Sequence, residues 1–321
     1  MAHIVATRPL IDGGLDALRE NHTVTVHDPD PAGDRTEEDL IDLAADADVL
    51  LSVLADPLTE RVFAACPHLQ MVAQYAVGLD NIDLDAAKEH GVVVSHTPGV
   101  LTDATADQAW TLLLAAARHV RAADQYVRDG KFERWETTLL LGMELADKTI
   151  GIVGLGRIGQ AVARRALGFG MDVVYHNRHR ANPTVERQTS ARYVSLDELL
   201  ATSDVVSLHC PHNEDSHHLI DAAALERMKD TALLVNTARG AVVDEAALVE
   251  ALDAKEIAGA GLDVFEQEPD VHPGLLDQDR VVLAPHLGSA TTRARRRMAD
   301  MVVDSIQAVL QEAESVPHRA A

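Results

Sequence analysis

Cysteine is close to absent. Cys66 and Cys210 are the two in 321 residues, too few for a disulfide framework, and they fit a reducing, cytoplasmic interior. Lysine is scarce as well: five of the 28 basic residues are Lys and the rest are Arg, against 51 acidic residues, for a formal net charge of −23. A field of that sign repels phosphate backbones and anionic lipid, so neither nucleic acid nor a membrane surface is an expected partner. Aromatic residues reach only 3%, which leaves Ala, Val, Leu and Ile to build the core. No run of 18 uninterrupted apolar residues occurs, so no membrane-spanning helix is expected. The opening Met1-Ala2-His3-Ile4-Val5 lacks a basic segment followed by a long apolar one, so no secretory signal is expected either.

What is present is an average soluble composition, 47% apolar and 25% charged, in a length that sets a prior of two domains. Short β-branched runs alternate with helical stretches. Strands are expected at 3–6, 23–26, 48–53, 70–75 and 92–94, and helices at 10–20, 36–46 (with Thr36 as N-cap), 59–65 and 83–89. A long helix, 103–129, places Leu112, Leu113, Ala116 and Val120 on one side. A second series then begins, with strands at 149–153, 172–175, 204–208, 232–235, 259–262 and 281–283. Its helices fall at 157–169, 196–201, 221–228 and 244–253, and a last helix at 291–313. Such alternation implies parallel sheets covered by helices, an α/β class with two Rossmann-like or flavodoxin-like domains.

The second series opens on a fingerprint. Gly154, Gly156 and Gly159 form G-x-G-x-x-G between an apolar strand and an Ala-rich helix. Gly154 permits the tight turn, Gly156 a close approach to a pyrophosphate, and Gly159 close helix–strand packing. Arg157 and Ile158 open the helix whose N-terminus faces the phosphates. The strand after it ends in His176-Asn177-Arg178-His179-Arg180, where an NAD site carries an acidic residue for the ribose 2′-hydroxyl. With no carboxylate in that run, Asn177, Arg178 and Arg180 are expected to receive a 2′-phosphate, so NADP(H) is preferred over NAD(H). The alternative is that the two arginines are ordinary surface charges.

Three more blocks each follow an apolar strand: Asn236-Thr237-Ala238-Arg239-Gly240, Asp263-Val264-Phe265-Glu266-Gln267-Glu268-Pro269, and Pro285-His286-Leu287-Gly288-Ser289-Ala290-Thr291. Ligands gather beyond the carboxyl ends of parallel strands, so an Arg, a Glu and a His face one crevice. With these blocks the chain resembles the D-isomer-specific 2-hydroxyacid dehydrogenases along nearly its whole length, and within them the glyoxylate/hydroxypyruvate reductases. The resemblance implies a substrate domain of residues 1–99 and 290–321, with a dinucleotide-binding domain of 100–289 inserted into it. It implies Arg239, Glu268 and His286 as the catalytic set, acting on a small 2-oxo acid. A planar guanidinium fork suits a carboxylate beside a carbonyl, a protonated imidazole can donate to the carbonyl oxygen, and a carboxylate favours the imidazolium.

By the same resemblance, backbone N–H groups of Val77 and Gly78 hold the substrate carboxylate and Leu54 borders the substrate. Trp135, in a dimer arm, reaches the partner's site, and helix 103–129 supplies the two-fold contact of a homodimer. Asp263, Thr237, Ala238, Gly288, His209 and Pro211 line the cofactor. The run His209-Cys210-Pro211-His212, with His217-His218, is read as a cofactor-side loop and not as a metal site, because zinc needs ligands aimed at one point. A short-form D-3-phosphoglycerate dehydrogenase and a non-catalytic dinucleotide-sensing scaffold of this fold remain the rivals.

The acids are scattered through helices and turns instead of gathered in a tail. That pattern is expected of a halophilic chain, whose self-repulsion is screened in a salty interior; an ordinary acidic protein is the alternative. Activity assayed against potassium chloride is expected to peak at high salt, and a maximum at very low salt would overturn the salt reading.

Overall fold

The computed structural model describes residues 1–28, 33–313 and 315–321. The chain divides into two compact units, Met1–Leu101 with Ala290–Ala321, and Thr102–Ser289. The first crossing lies two residues beyond the one expected at 99/100.

In the first unit, β1 (His3–Ala6), β2 (Thr23–Val26), β3 (Val49–Ser52), β4 (Met71–Gln74) and β5 (Val93–Ser95) form an all-parallel sheet in the order β2-β1-β3-β4-β5. This is the flavodoxin-like order, in which the connections reverse direction between β1 and β3. Every residue of β3 and β4 is buried, as expected of central parallel strands with helices on both faces. The helix Glu37–Ala44 opens with a capping box, Thr36 and Asp39 bonding each other's backbone N–H groups. The final helix, Thr292–Leu310, packs Met298, Ala299, Val302 and Ile306 inward. The tail then returns to the β5 edge, where Val94 donates to the Ala321 carbonyl. One helix is shorter than expected: of 10–20 only Asp16–Arg19 is helical. The glycine pair is the reason. Gly13 sits at φ +72°, and a Cβ on Gly14 would lie 2.8 Å from the Ile11 carbonyl.

In the second unit, β6 (Thr149–Val153), β7 (Asp172–His176), β8 (Ala191–Tyr193), β9 (Val205–Leu208), β10 (Leu233–Asn236), β11 (Gly259–Leu262) and β12 (Val281–Leu283) form a parallel sheet ordered β12-β11-β10-β9-β6-β7-β8. This is the doubly wound dinucleotide-binding order, with its reversal between β6 and β9. The sequence pattern missed β8 and the helix before it, Pro183–Thr189. Both are too short to show a period.

The long helix differs most. It is two helices, Thr102–Ala117 and Val120–Arg128, broken at His119, which adopts φ +51°. Leu112, Leu113 and Ala116 are buried in the core of their own unit with Ile150 and Ile152, and a Cβ on Gly261 would lie 2.8 Å from Leu112 Cβ. That face is committed to β11 and is not available for a two-fold contact; Val120, on the second helix, is exposed. Periodicity shows that a face is apolar but not what covers it.

Candidate active site

Three neighbouring strands, β10, β11 and β12, end on the functional blocks. The turn after β10 is stapled by Asn236, whose Nδ2 donates to the Arg239 carbonyl at 2.9 Å and whose Oδ1 accepts from Ala238 N–H at 3.0 Å. Gly240 presses this turn against the next block: a Cβ there would sit 1.8 Å from the Phe265 carbonyl carbon. No side chain fits, so Gly240 brings the Arg239 segment against the chain that carries Glu268.

Glu268 turns back on its own loop. Its Oε1 accepts from Phe265 N–H at 3.0 Å, and its Oε2 lies 2.7 Å from His286 Nδ1. Burial pushes the Glu268 carboxyl up, but the His286 bond and charge, the Phe265 N–H and the Arg239 charge outweigh it, and the carboxyl is held below its ordinary range. Glu268 and His286 therefore meet, with the Arg239 charge acting on the same carboxylate. His286 adopts φ +53°, an uncommon conformation for a residue with a side chain. Its N–H is shared between the carbonyls of Asp263 and Ala284.

Asp263 is 1% exposed. Its Oδ1 accepts from Gln108 Nε2 at 3.0 Å and from Leu287 N–H at 2.8 Å. Burial pushes its carboxyl up, against the pull of Leu287, Gln108, His286 and Gly288. Thr105 donates to the Gly288 carbonyl at 3.0 Å. Neither Thr105 nor Gln108 stands out in the sequence, since two polar residues on a helix carry no motif.

The Gly-rich turn has the geometry the fingerprint requires. Gly154 sits at φ +100°, where a Cβ would lie 2.6 Å from Cys210 N. A Cβ on Gly159 would lie 2.2 Å from the Gly154 carbonyl, and one on Gly156 would meet open space. The helix Arg157–Gly168, carrying Ile158 in its first turn, begins at Gly156 with no side-chain cap. Its N-terminal N–H groups and the open face at Gly156 fit a pyrophosphate.

His209, at the end of β9, is pinned between Ser207 Oγ (2.8 Å) and Thr237 Oγ1 (3.5 Å), and burial holds its ring down to about 3. It is a neutral wall beside the turn. Pro211 lies in a compact turn, its carbonyl accepting from Ser216 Oγ at 2.8 Å.

The basic segment after β7 differs from expectation. Asn177 Oδ1 accepts from Leu155 N–H at 2.7 Å, so that side chain braces the Gly-rich turn. Arg180 makes a bidentate pair with Glu186, at 2.8 and 3.0 Å. That pair, with the Tyr175 hydroxyl, holds the Glu186 carboxyl down to about 2. Arg178 meets Asp215 at 3.2 Å. The local sequence holds no carboxylate, but the fold brings one to each arginine from 6 and 37 residues away.

In the first unit, the half-buried Leu54 follows β3, and Val77 and Gly78 follow β4. Side chains unmarked by any motif tie these loops together. Gln74 Nε2 donates to Asn81 Oδ1 (2.8 Å) and to the Gly78 carbonyl (3.4 Å). Asn81 Nδ2 donates to the carbonyls of Val53 and Asp56, and His96 Nδ1 lies 3.0 Å from the Val77 carbonyl. Among the described residues no group of three or more His, Cys, Asp or Glu side chains could hold a metal ion, and no helix is long and apolar enough to cross a membrane.

Residues 110–288 match the model of the D-isomer specific 2-hydroxyacid dehydrogenase NAD binding domain, and a glyoxylate reductase of Thermococcus onnurineus is 48% identical over 94% of this chain and 91% of its own. The chain belongs to the D-isomer specific 2-hydroxyacid dehydrogenase family. Among solved structures, a Thermus thermophilus protein superposes on this dehydrogenase with a TM-score of 0.92 at 43% identity, covering 99% of this chain and 100% of its own. The NADPH-dependent glyoxylate/hydroxypyruvate reductase of Sinorhizobium meliloti, in complex with citrate, does so with a TM-score of 0.86 at 32% identity, covering 100% and 98%. The dehydrogenase is thus an oxidoreductase with a nicotinamide-dinucleotide domain, as its sequence implied.

Because Glu268 holds the His286 ring at Nδ1, Glu268→Gln is expected to lower kcat/KM for reduction by about tenfold or more. An unchanged kcat/KM would separate Glu268 from the acid.

Proposed function

We propose that this dehydrogenase reduces glyoxylate, or a 2-oxo acid of similar size such as hydroxypyruvate, to the D-2-hydroxy acid, with NADPH as the preferred donor. The observation that carries the chemistry is the 2.7 Å contact between His286 Nδ1 and Glu268 Oε2 at the ends of adjacent strands, with the Arg239 charge acting on the same carboxylate. The names of the relatives favour glyoxylate over phosphoglycerate, and an enzyme over a sensing scaffold.

The substrate is a carboxylate joined to a carbonyl. Arg239 offers parallel donors to that pair; in the first unit, the N–H groups of Val77 and Gly78 and the side chain of Leu54 are the candidates for substrate contacts. Glu268 occupies Nδ1 of His286, which leaves Nε2 to carry the proton that goes to the carbonyl oxygen. Gly154, Gly156, Arg157, Ile158 and Gly159 would hold the dinucleotide pyrophosphate, and His209, Pro211, Thr237, Ala238, Asp263 and Gly288 would line the rest. A dinucleotide held by these residues would supply the hydride. The catalytic role thus belongs to 102–289 and the carboxylate-binding loops to the first unit. Two free cysteines support a cytoplasmic setting.

NADPH preference rests on Arg178. Its partner Asp215 is largely exposed, and an exposed pair is weak enough to yield to a phosphate dianion. Arg180, locked to Glu186, contributes less than its sequence position suggested, and this locking favours some use of NADH. One assay tests these points: absorbance loss from NADPH and NADH on adding a panel of 2-oxo acids. His286→Ala should lower kcat by at least about 100-fold, and Arg178→Ala should weaken NADPH while sparing NADH. Full-rate turnover without His286, or glyoxylate left unchanged by the native chain, would overturn the reading.

The partner is a second copy of the chain. Phe132 and Trp135 are two of only ten aromatic residues, yet they are 59% and 78% exposed, and Val120, Val127 and Leu141 of the same stretch are exposed as well. Exposed apolar side chains concentrated in one segment suit an interface. Sedimentation is expected to give twice the chain mass of 34.6 kDa, and Trp135→Ala to raise KM for the 2-oxo acid. A monomer with unchanged KM would remove the arm from the site.

A further inference from the structure

The proton donor sits on a backbone that does not hold itself in place. His286 has a left-handed φ of +53°, and β12, which leads into it, is an edge strand of three residues. What holds the 286–288 loop comes from elsewhere. The His286 N–H donates to the Asp263 carbonyl at 2.8 Å, and the Leu287 N–H to Asp263 Oδ1 at 2.8 Å. Asp263 is in turn held by Gln108 Nε2 at 3.0 Å, and the Gly288 carbonyl by Thr105 Oγ1 at 3.0 Å. Thr105 and Gln108 are three residues apart on one helix face. Their helix is anchored by Ala106, Ala109, Leu112 and Leu113, which are buried in the core. The fit is close: a Cβ on Gly288 would lie 3.2 Å from Asp263 Oδ2 and 3.3 Å from Thr105 Cγ2.

We propose that Gln108, together with Thr105, is a positioning residue for proton transfer, fixing the His286 loop through Asp263 and the Gly288 carbonyl. The inference rests on the reading of His286 as general acid. Gln108 touches none of the reacting groups; it acts by satisfying a buried carboxylate that would otherwise turn toward other partners and release the Leu287 N–H. An amide suits the task, since Nε2 donates without adding a second charge beside the His286–Glu268 pair.

The test uses Gln108→Leu, which keeps the volume and removes the donor, and Thr105→Val, which does the same for the hydroxyl. Hydrogen exchange of residues 286–289 reads the loop without turnover, and thermal melts report the fold. With Tm nearly unchanged, each variant is expected to speed exchange in that segment. Gln108→Leu should lower kcat about tenfold with little change in KM, since small misplacements of a reacting group are costly, and should enlarge the solvent deuterium isotope effect on kcat. Unchanged loop exchange would overturn the clamp whatever the substrate proves to be. Faster exchange with unaltered kcat and isotope effect would overturn the positioning role. A native chain inactive on every 2-oxo acid would instead sink the functional reading, while the exchange data still decide whether the clamp exists.

Discussion

A carboxylate beside a histidine is a common pairing and on a surface contributes little. Between Glu268 and His286 it matters because both members are held by backbone that cannot easily be elsewhere. Glu268 is fixed at its other oxygen by the Phe265 N–H, and that segment is crowded by the 236–240 turn so closely that position 240 admits only glycine. His286 is fixed through Asp263, which is itself buried and bonded. The pair therefore forms without ordering two free side chains, which is the usual cost of a surface ion pair. It also occupies Nδ1 of the ring, so that Nε2 is the nitrogen left for another partner. Loosening any of these supports would leave the residues present and their chemistry poorly aimed.

Both units obey the same topological rule, and this explains where their functional loops lie. A parallel sheet that reverses its winding direction leaves a crevice at the carboxyl ends of the two strands flanking the reversal. In the second unit those strands are β6 and β9, and there Gly154 packs against the backbone of His209 and Cys210. In the first unit they are β1 and β3, where Thr7 Oγ1 donates to the buried Asp56 at 2.6 Å and Asp56 accepts from Val53 N–H. The loop bearing Leu54 is thus closed by a carboxylate just as the Gly-rich turn is closed by Asn177. Burial pushes the Asp56 carboxyl up against the pull of Thr7 and Val53.

Much of this was legible from residues alone, for physical reasons. Strands of parallel sheets are short apolar runs and announce themselves. The glycines of the fingerprint and the Arg, Glu and His of the three blocks stand directly after such runs, so their position in the fold follows from sheet topology. What could not be read is whatever depends on contacts between segments distant in sequence. The Gln108–Asp263 bond spans 155 residues and the Thr105–Gly288 bond 183, and no local pattern encodes either. The helix expected at 103–129 failed for the opposite reason: His119 adopts a left-handed φ without a glycine or proline to advertise the break.

Cofactor preference shows most clearly why local sequence is not enough. Asn177-Arg178-His179-Arg180 reads as a phosphate-binding cation cluster, because nothing within it is negative. In a chain of net charge −23, however, an exposed guanidinium seldom lacks a carboxylate. Here Glu186 takes Arg180 in a two-pronged contact, while Asp215 takes Arg178 by a single long one. A dianionic phosphate competes with the second far better than with the first, because its charge is larger and a single exposed contact in water is weak. The two arginines are therefore unequally available to an anion, Arg180 being the more committed. On the NADPH reading proposed above, selectivity would turn on how readily one carboxylate, Asp215, gives up its partner.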